Sequence, residues 1–290
     1  MDRKDFLKKS LTGTLAAAAT AVTAKVISAD SPVPKTDEQV VYNHLPNTNS
    51  AIMENMILHK ADTRGHANHG WLNSFHTFSF ANYHNPDRMH FGVLRVLNDD
   101  TVSPGMGFGT HPHNNMEIIS IPLEGDLEHK DSMGNVTVIR NGDIQIMSAG
   151  SGVSHSEYNK NTDKTVKFLQ IWVFPKVKNV APRYDQITLN SADRHNKLQQ
   201  ILSPNADDEG VWIHQDAWFH LGTLDAGTAL EYEVKKPGNG VYAFVLSGDA
   251  SVAGQSLNQR DGLGLTNQTK ISIAATTQTE LLLMEVPMNV

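Results

Sequence analysis

Two short segments of the chain each carry a pair of potential metal ligands at a two-residue spacing. The segment GTHPHNN contains His111 and His113, and the segment GVSHSEYN contains His155 and Glu157. Alternate side chains of a β-strand point to the same face, so each pair presents its two ligands in one direction. If the two strands are neighbours in a barrel, all four side chains converge on one interior point.

Such a set of side chains is suited to a transition metal. Three neutral imidazoles and one carboxylate suit Fe(II), Mn(II), Ni(II), Cu(II) or Zn(II), and the sequence does not choose among them. Four protein ligands on a six-coordinate metal leave two adjacent positions for a bidentate substrate, or for a substrate and dioxygen. A single His-x-His pair is more often a surface or core feature, but two pairs framed by glycines favour a metal. We predict one divalent metal ion per chain.

The composition excludes several other kinds of chemistry. The 290 residues include no cysteine, so disulfides, thiolate-bound zinc, iron–sulfur clusters and thiol nucleophiles are all ruled out. Any metal must be held by imidazole and carboxylate groups. The formal net charge of −7 argues against the basic face that nucleic-acid binding requires, and we expect no nucleic-acid partner.

The first 29 residues have the layout of an export signal. The basic segment RKDFLKK precedes a mildly apolar run of small residues, LTGTLAAAATAVTA. RKDFLKK is similar to the twin-arginine motif, except that Lys4 stands where the second arginine is expected. The apolar run is too short and too weak for a stable membrane span. We expect residues 1–29 to be removed and the mature protein to be periplasmic; the alternative is an amphipathic helix on a cytosolic protein.

The rest of the chain indicates two β-barrels. Residues 30–42 combine two prolines with several charges and no periodicity, which predicts an exposed tether. Beyond them, short apolar runs alternate with turn sequences such as NDD, EGD and NGD, a pattern typical of all-β barrels or sandwiches. This pattern returns in the second half as a weak internal repeat. We predict a metal-binding barrel at 43–186, a connection at 187–210 and a second barrel at 211–290.

Longer segments give a specific resemblance to a known family. They include RGHANHGWLNSFHTFSFANYHNP, GFGTHPHNNMEI, HKDSMGN, IQIMSAGSGVSHSEYN, LQIWVFP and PRYDQ, and they span most of residues 57–186. Together these segments resemble the pirin family. The resemblance implies an all-β fold of two tandem cupin (jelly-roll) barrels, of which the N-terminal one binds metal and the C-terminal one has lost its ligands.

The resemblance also implies a ligand set, a cofactor and an activity. The implied ligands are His111, His113, His155 and Glu157. Pirins usually hold iron, so Fe(II) is the first expectation, with Mn, Ni, Cu and Zn as alternatives. Some bacterial members have quercetin 2,3-dioxygenase activity, whereas the nuclear animal member is a redox-sensitive transcriptional cofactor.

Three hypotheses about function follow. The first is a dioxygenase that cleaves a flavonol-like aromatic substrate with O2, with Glu157 as general base. For this role Glu157 would have to loosen from the metal. The second is a non-catalytic metal-binding or redox-sensing bicupin, and the third is a cupin that uses its metal structurally or carries it. In each case we expect a monomer without a membrane span.

Glu117 is an alternative carboxylate ligand. In ordinary cupins the glutamate at its position binds the metal, and it shares strand parity with His111 and His113. Pirins instead use the glutamate two residues after the last histidine, which is Glu157 here and which we prefer. Glu117 would then hydrogen bond to an imidazole or face outward.

The remaining histidines and two phenylalanines are predicted to be structural. The family resemblance implies a structural cap on the first barrel that contains His66, His69 and His76. We expect His129 to be exposed beside the DSMGN turn, and Phe78 and Phe80 to belong to the core or the pocket wall. His214 and His220 open the second barrel without the glycine-framed pairs, so we expect that barrel to be free of metal.

Overall fold

A computed structural model describes residues 55–290. The predicted export signal at 1–29 and tether at 30–42 lie outside these residues and stay predictions. No helix within residues 55–290 is long and apolar enough to cross a membrane.

The described residues form β-strands joined by turns and three short 3-10 helices. The strands of the first half are β1 Met56–His59, β2 Gly65–Asn68, β3 Leu72–His76, β4 Leu94–Val102, β5 Gly107–His113, β6 Glu117–Glu124, β7 Asp126–Asp131, β8 Val136–Arg140, β9 Asp143–Ser148, β10 Val153–Asn159, β11 Val166–Val173 and β12 Arg183–Thr188. Those of the second half are β13 Gln199–Ser203, β14 Val211–Trp212, β15 Trp218–Leu224, β16 Ala229–Glu233, β17 Asn239–Ser247, β18 Ala250–Val252, β19 Gln255–Leu257, β20 Gly262–Leu265, β21 Lys270–Ala275 and β22 Thr279–Pro287. The 3-10 helices are Ala61–Thr63, Pro86–Arg88 and Ser191–Arg194.

The strands form two barrels of the same design. The first combines a seven-stranded sheet, in the order β12-β9-β6-β11-β4-β3-β2, with a four-stranded sheet, β5-β10-β7-β8. The second combines β1-β20-β17-β22-β15-β13-β14 with β16-β21-β18-β19. Neighbouring strands are antiparallel except for β13 and β14, which are parallel. The prediction of an all-β fold with two tandem cupin barrels is confirmed.

The strand pairing differs from the predicted domain boundaries at two places. β1 lies within the range predicted for the first barrel, yet it pairs with β20 of the second, from Met56 opposite Leu265 to His59 opposite Gly262. β13 lies within the predicted connection and pairs with β15. The reason is that pairing depends on which sheet edge is free in space, and a linear pattern does not contain that information.

The two barrels pack back to back through their seven-stranded sheets. One apolar cluster contains buried side chains from both sheets, among them Ile119, Ile146, Leu169, Ile171, Phe219, Leu282 and Met284. Such an interdigitated layer is how two sheets normally stack. The first barrel therefore has one wall fixed against the second, which keeps β6, β9 and β11 in place.

The interiors of the two barrels differ in polarity. The second is filled mainly by aliphatic side chains from β17, β20, β21 and β22. The first contains a row of buried polar groups, namely Asn98, Ser120, Gln145, Glu157 and Gln170, each at most 4% exposed. Buried polar groups carry a desolvation cost unless they are hydrogen-bonded, so this row points to a site.

Candidate metal centre

The two histidine-bearing segments are neighbouring strands, which is the condition for their side chains to converge. β5 and β10 pair in antiparallel fashion, with His155 opposite His111 and Val153 opposite His113. Directly opposite residues of an antiparallel pair project to the same face. The three imidazoles therefore enter the first barrel together.

The three histidines form a compact group. The ring centroids of His111 and His155 are 4.4 Å apart, those of His111 and His113 are 4.8 Å apart, and those of His113 and His155 are 4.9 Å apart. One ring nitrogen from each residue lies within 4.8 Å of the others, which makes the trio a potential metal-binding group. Metal–imidazole bonds are about 2.0–2.1 Å long, so small side-chain rotations would bring these nitrogens onto one ion.

The backbone selects the ring nitrogen that His111 presents. Its Nδ1 lies 2.8 Å from the carbonyl oxygen of Gly109. Because a carbonyl can only accept, Nδ1 carries the proton and Nε2 keeps the lone pair that binds metals. The trio is buried, with side-chain exposure between 1% and 9%. Its donor chemistry and orientation fit a divalent metal.

Glu157 lies in the same barrel but is not a member of this compact group. A bulge shifts the register of the two strands, so that Glu157 is opposite Phe108, and its side chain is only 1% exposed. Its carboxylate accepts hydrogen bonds from the Gln170 amide, at 2.9 and 3.0 Å, and from the Ser120 hydroxyl, at 3.3 Å. Its role as a metal ligand stays a prediction.

Gly107 allows β5 to approach β10 closely at this bulge. A Cβ atom at this position would lie 2.3 Å from the backbone oxygen of Glu157. Any side chain here would force the two strands apart. Glycine beside the histidine pair is therefore required by backbone packing, independently of any metal.

The prediction that His129 is exposed is wrong. His129 lies on β7 opposite Glu157 and is fully buried. Its Nδ1 is 3.5 Å from Nδ1 of His155, and its Nε2 is 3.0 Å from a carboxylate oxygen of Asp131. Burial alone would raise the pKa of Asp131, but hydrogen bonds from His129 and Asn135 outweigh it and lower that pKa. The chain Asp131–His129–His155 orients the His155 ring.

Glu117 points away from the histidines. Its neighbours Ile118 and Ser120 face the barrel interior, whereas Glu117 lies on the inter-barrel side. Its carboxylate accepts hydrogen bonds from the Ser148 hydroxyl, at 2.8 Å, and from the backbone N–H of His214 in the second half, at 3.4 Å. Burial raises the pKa of Glu117, although these hydrogen bonds oppose the rise. Strand parity predicts that Glu117 shares a face with His111 and His113. Alternation does not continue across the turn at 114–116, so β6 directs Glu117 to the opposite face.

An aromatic wall borders the histidine group. The Trp172 ring is 5.0 Å from that of His113, and the Phe80 ring packs edge-on against Trp172 at 5.4 Å. His76 follows at 5.3 Å from Phe80, and its burial lowers its pKa to about 4, so it is neutral at pH 7. Phe78 instead belongs to the apolar core between the barrels. Phe80 therefore belongs to the aromatic wall beside the histidines, whereas Phe78 is a core residue.

Sequence reasoning missed Gln170 and the pair His129 and Asp131 as parts of the site. His129-x-Asp131 repeats the spacing of the two metal-ligand pairs, which was a signal for a third inward-facing pair. Gln170 interrupts the otherwise apolar strand FLQIWVF. A polar residue in such a strand has to find a buried partner, and this one finds Glu157.

Comparisons with known proteins agree with this architecture. The family model described as Pirin matches residues 58–173, and the one described as quercetinase C-terminal cupin domain matches residues 200–286. The quercetin 2,3-dioxygenase of Escherichia coli K12 is 42% identical over 232 residues, which are 80% of this chain and 99% of that protein. A pirin-like protein of Caulobacter vibrioides is 40% identical over 225 residues, or 77% and 96% of the two chains.

A solved structure extends the likeness to a metal-bound state. The crystal structure of the bacterial pirin YhhW from E. coli in complex with nickel(II) is 41% identical and superposes with a TM-score of 0.76. The match covers 81% of this chain and 100% of that one.

Proposed function

Because the chain belongs to the pirin family, we propose that it is a metal-dependent dioxygenase that cleaves a flavonol-like, quercetin-type aromatic substrate with O2. The reaction takes one flavonol and one O2 to a phenolic ester and carbon monoxide. The observation that carries the proposal is the group of three buried histidines beside a buried glutamate, behind an aromatic wall.

The residues of the first barrel have distinct parts in this proposal. His111, His113 and His155 hold the metal, with Glu157 as the fourth ligand that the family resemblance implies. A bound divalent metal supplies Lewis acidity toward the vicinal oxygens of the substrate. Glu157 takes the proton of the substrate hydroxyl as general base. The rings of Trp172 and Phe80 pack against the flat substrate.

Metal analysis and quercetin-dependent oxygen uptake, on one anaerobically purified preparation of the full chain, test this function. We expect about one metal ion per chain, and His111→Ala should abolish both the metal and the oxygen uptake. Glu157→Gln should keep a metal on the three histidines and slow turnover by roughly 10²–10⁴-fold. His66→Ala is the control, because His66 is exposed on β2 and should leave both quantities unchanged.

Two results would contradict the dioxygenase. A full metal complement without oxygen uptake would favour the non-catalytic metal-binding or redox-sensing role. A preparation that takes up no metal when Fe(II), Mn(II), Ni(II), Cu(II) or Zn(II) is supplied would contradict both the dioxygenase and the metal-binding role.

We also propose that the protein is exported to the periplasm through the signal predicted at residues 1–29. The supporting features are the basic segment, the small-residue run and the twin-arginine-like motif. Cell fractionation of the full chain tests this. Full-length protein that remains with cytoplasmic markers would contradict export.

A further inference from the structure

The amide of Gln170 holds both oxygens of the Glu157 carboxylate at once. Its Nε2 is 2.9 Å from one oxygen and 3.0 Å from the other, and both side chains are at most 4% exposed. The Ser120 hydroxyl adds a third hydrogen bond at 3.3 Å. A carboxylate accepts only, so the amide has to present its nitrogen, and the opposite amide orientation would place two acceptors against each other.

The position of this amide matters for metal binding. A nitrogen almost equidistant from the two oxygens lies near the plane that bisects the carboxylate. A cation bound by both oxygens would also lie near this plane and would use the same oxygen lone pairs. The Gln170 amide would therefore compete with a cation for the oxygens of Glu157, and this agrees with Glu157 lying outside the compact histidine group.

Gln170 cannot easily move aside, because it lies on a central strand. β11 pairs with β6 on one side and with β4 on the other, and Gln170 is opposite Ser120 and Asn98. The outer face of β11 packs in the apolar core between the barrels, through Leu169 and Ile171. β10, which carries Glu157, is likewise paired on both sides, by β5 and β7, so both backbones are fixed and a change of partner has to come from rotation of the Glu157 side chain.

We propose that Gln170, assisted by Ser120, is a positioning residue that competes with the metal for Glu157. In this arrangement Glu157 has two alternative partners, the metal and the Gln170–Ser120 pair, and the hydrogen-bonded alternative keeps it near the histidines but off the metal. This explains how one glutamate serves both as ligand and as general base. The inference rests on the proposed metal site.

The competition has a thermodynamic signature that a merely structural role lacks. Gln170→Leu removes hydrogen bonds that are strongest in the metal-free protein, so the metal-free form should unfold at a lower temperature. For the same reason the metal should bind more tightly, by on the order of tenfold. A residue that only supports the fold, or that preorganises Glu157 as a ligand, would lower the thermal stability and weaken metal binding or leave it unchanged.

Isothermal titration of the chelator-treated full chain with nickel(II) tests the proposal. We expect Gln170→Leu to bind nickel roughly tenfold more tightly than the parent, and Ser120→Ala to shift in the same direction by roughly two- to threefold. Gln215→Leu is the matched control, because Gln215 is a buried glutamine of the second half whose amide donates to the backbone carbonyl of Phe174 and not to any group of the proposed site. It should leave the nickel affinity unchanged.

A double-variant comparison assigns the effect to Glu157. In a Glu157→Gln background, Gln170→Leu should no longer tighten nickel binding, because the competing carboxylate is gone. Unchanged or weaker nickel binding in both Gln170→Leu and Ser120→Ala would overturn the inference while leaving the metal site intact. A parent protein that binds no nickel or other divalent metal would overturn the proposed site itself. If Gln170→Leu fails to fold, the Ser120→Ala result decides.

Discussion

At the scale of single residues, the environment of a carboxylate decides its role more than its distance along the chain from a histidine. Glu157 and Glu117 are both buried glutamates next to the histidine segments. Glu157 accepts hydrogen bonds from inside the first barrel, and Glu117 accepts one from the backbone of the second half. The first is therefore available to the site, and the second holds the two halves of the chain together.

Substitution of Glu117 tests this division. Glu117→Gln is nearly isosteric, and the new amide oxygen can still accept from the Ser148 hydroxyl and the His214 N–H. We expect the nickel affinity to stay within about twofold of the parent, because Glu117 faces away from the histidines. The same titration measures this. A loss of nickel affinity comparable to that of Glu157→Gln would indicate that Glu117 is a metal ligand.

At the scale of elements, irregularities of the strands align the site. Between Phe108 and His111, β5 contains the bulge, which keeps both of these side chains inside the barrel although their spacing is three. Bulges of this kind commonly redirect side chains beside functional sites. On the opposite side of β10, β7 brings His129 and Asp131 inward, so the orienting hydrogen bonds come from a neighbouring strand rather than from a loop.

At the scale of the whole molecule, the second barrel provides a rigid support whose stability depends on pH. His220 lies on β15, packs against the ring of Tyr232 at 5.0 Å and is 5% exposed. Burial, with a smaller contribution from Lys235, lowers the pKa of His220 to about 4. An unfolded chain binds a proton at this residue near pH 6.5, so between about pH 6.5 and 4 the unfolded state holds more protons.

The free energy of unfolding should therefore fall as the pH drops through this window. His220 contributes a slope of up to about 1.4 kcal/mol per pH unit, and a loss of about 2 kcal/mol between pH 7 and pH 5. His220→Gln should remove that part of the loss, which denaturant unfolding of parent and variant at both pH values measures. Equal losses in parent and variant would contradict the assignment.

The sequence by itself determined the strand pattern, the duplication and the two pairs of potential ligands, each on one face of its strand. These follow from rules that act over a few residues: alternate side chains share a face, turn residues end strands, and glycines mark close approaches. The family resemblance added iron as the first expected metal and the flavonol chemistry.

Only the tertiary structure decided where β1 pairs, which way Glu117 points, that His129 is buried, and that Gln170 holds Glu157. Each of these depends on contacts between strands far apart in the chain, such as Gln170 on β11 with Glu157 on β10 of the other sheet. Face alternation does not carry across a turn or a bulge. Free sheet edges are filled according to proximity in space, so the inter-strand partners of these residues could not be derived from spacing alone.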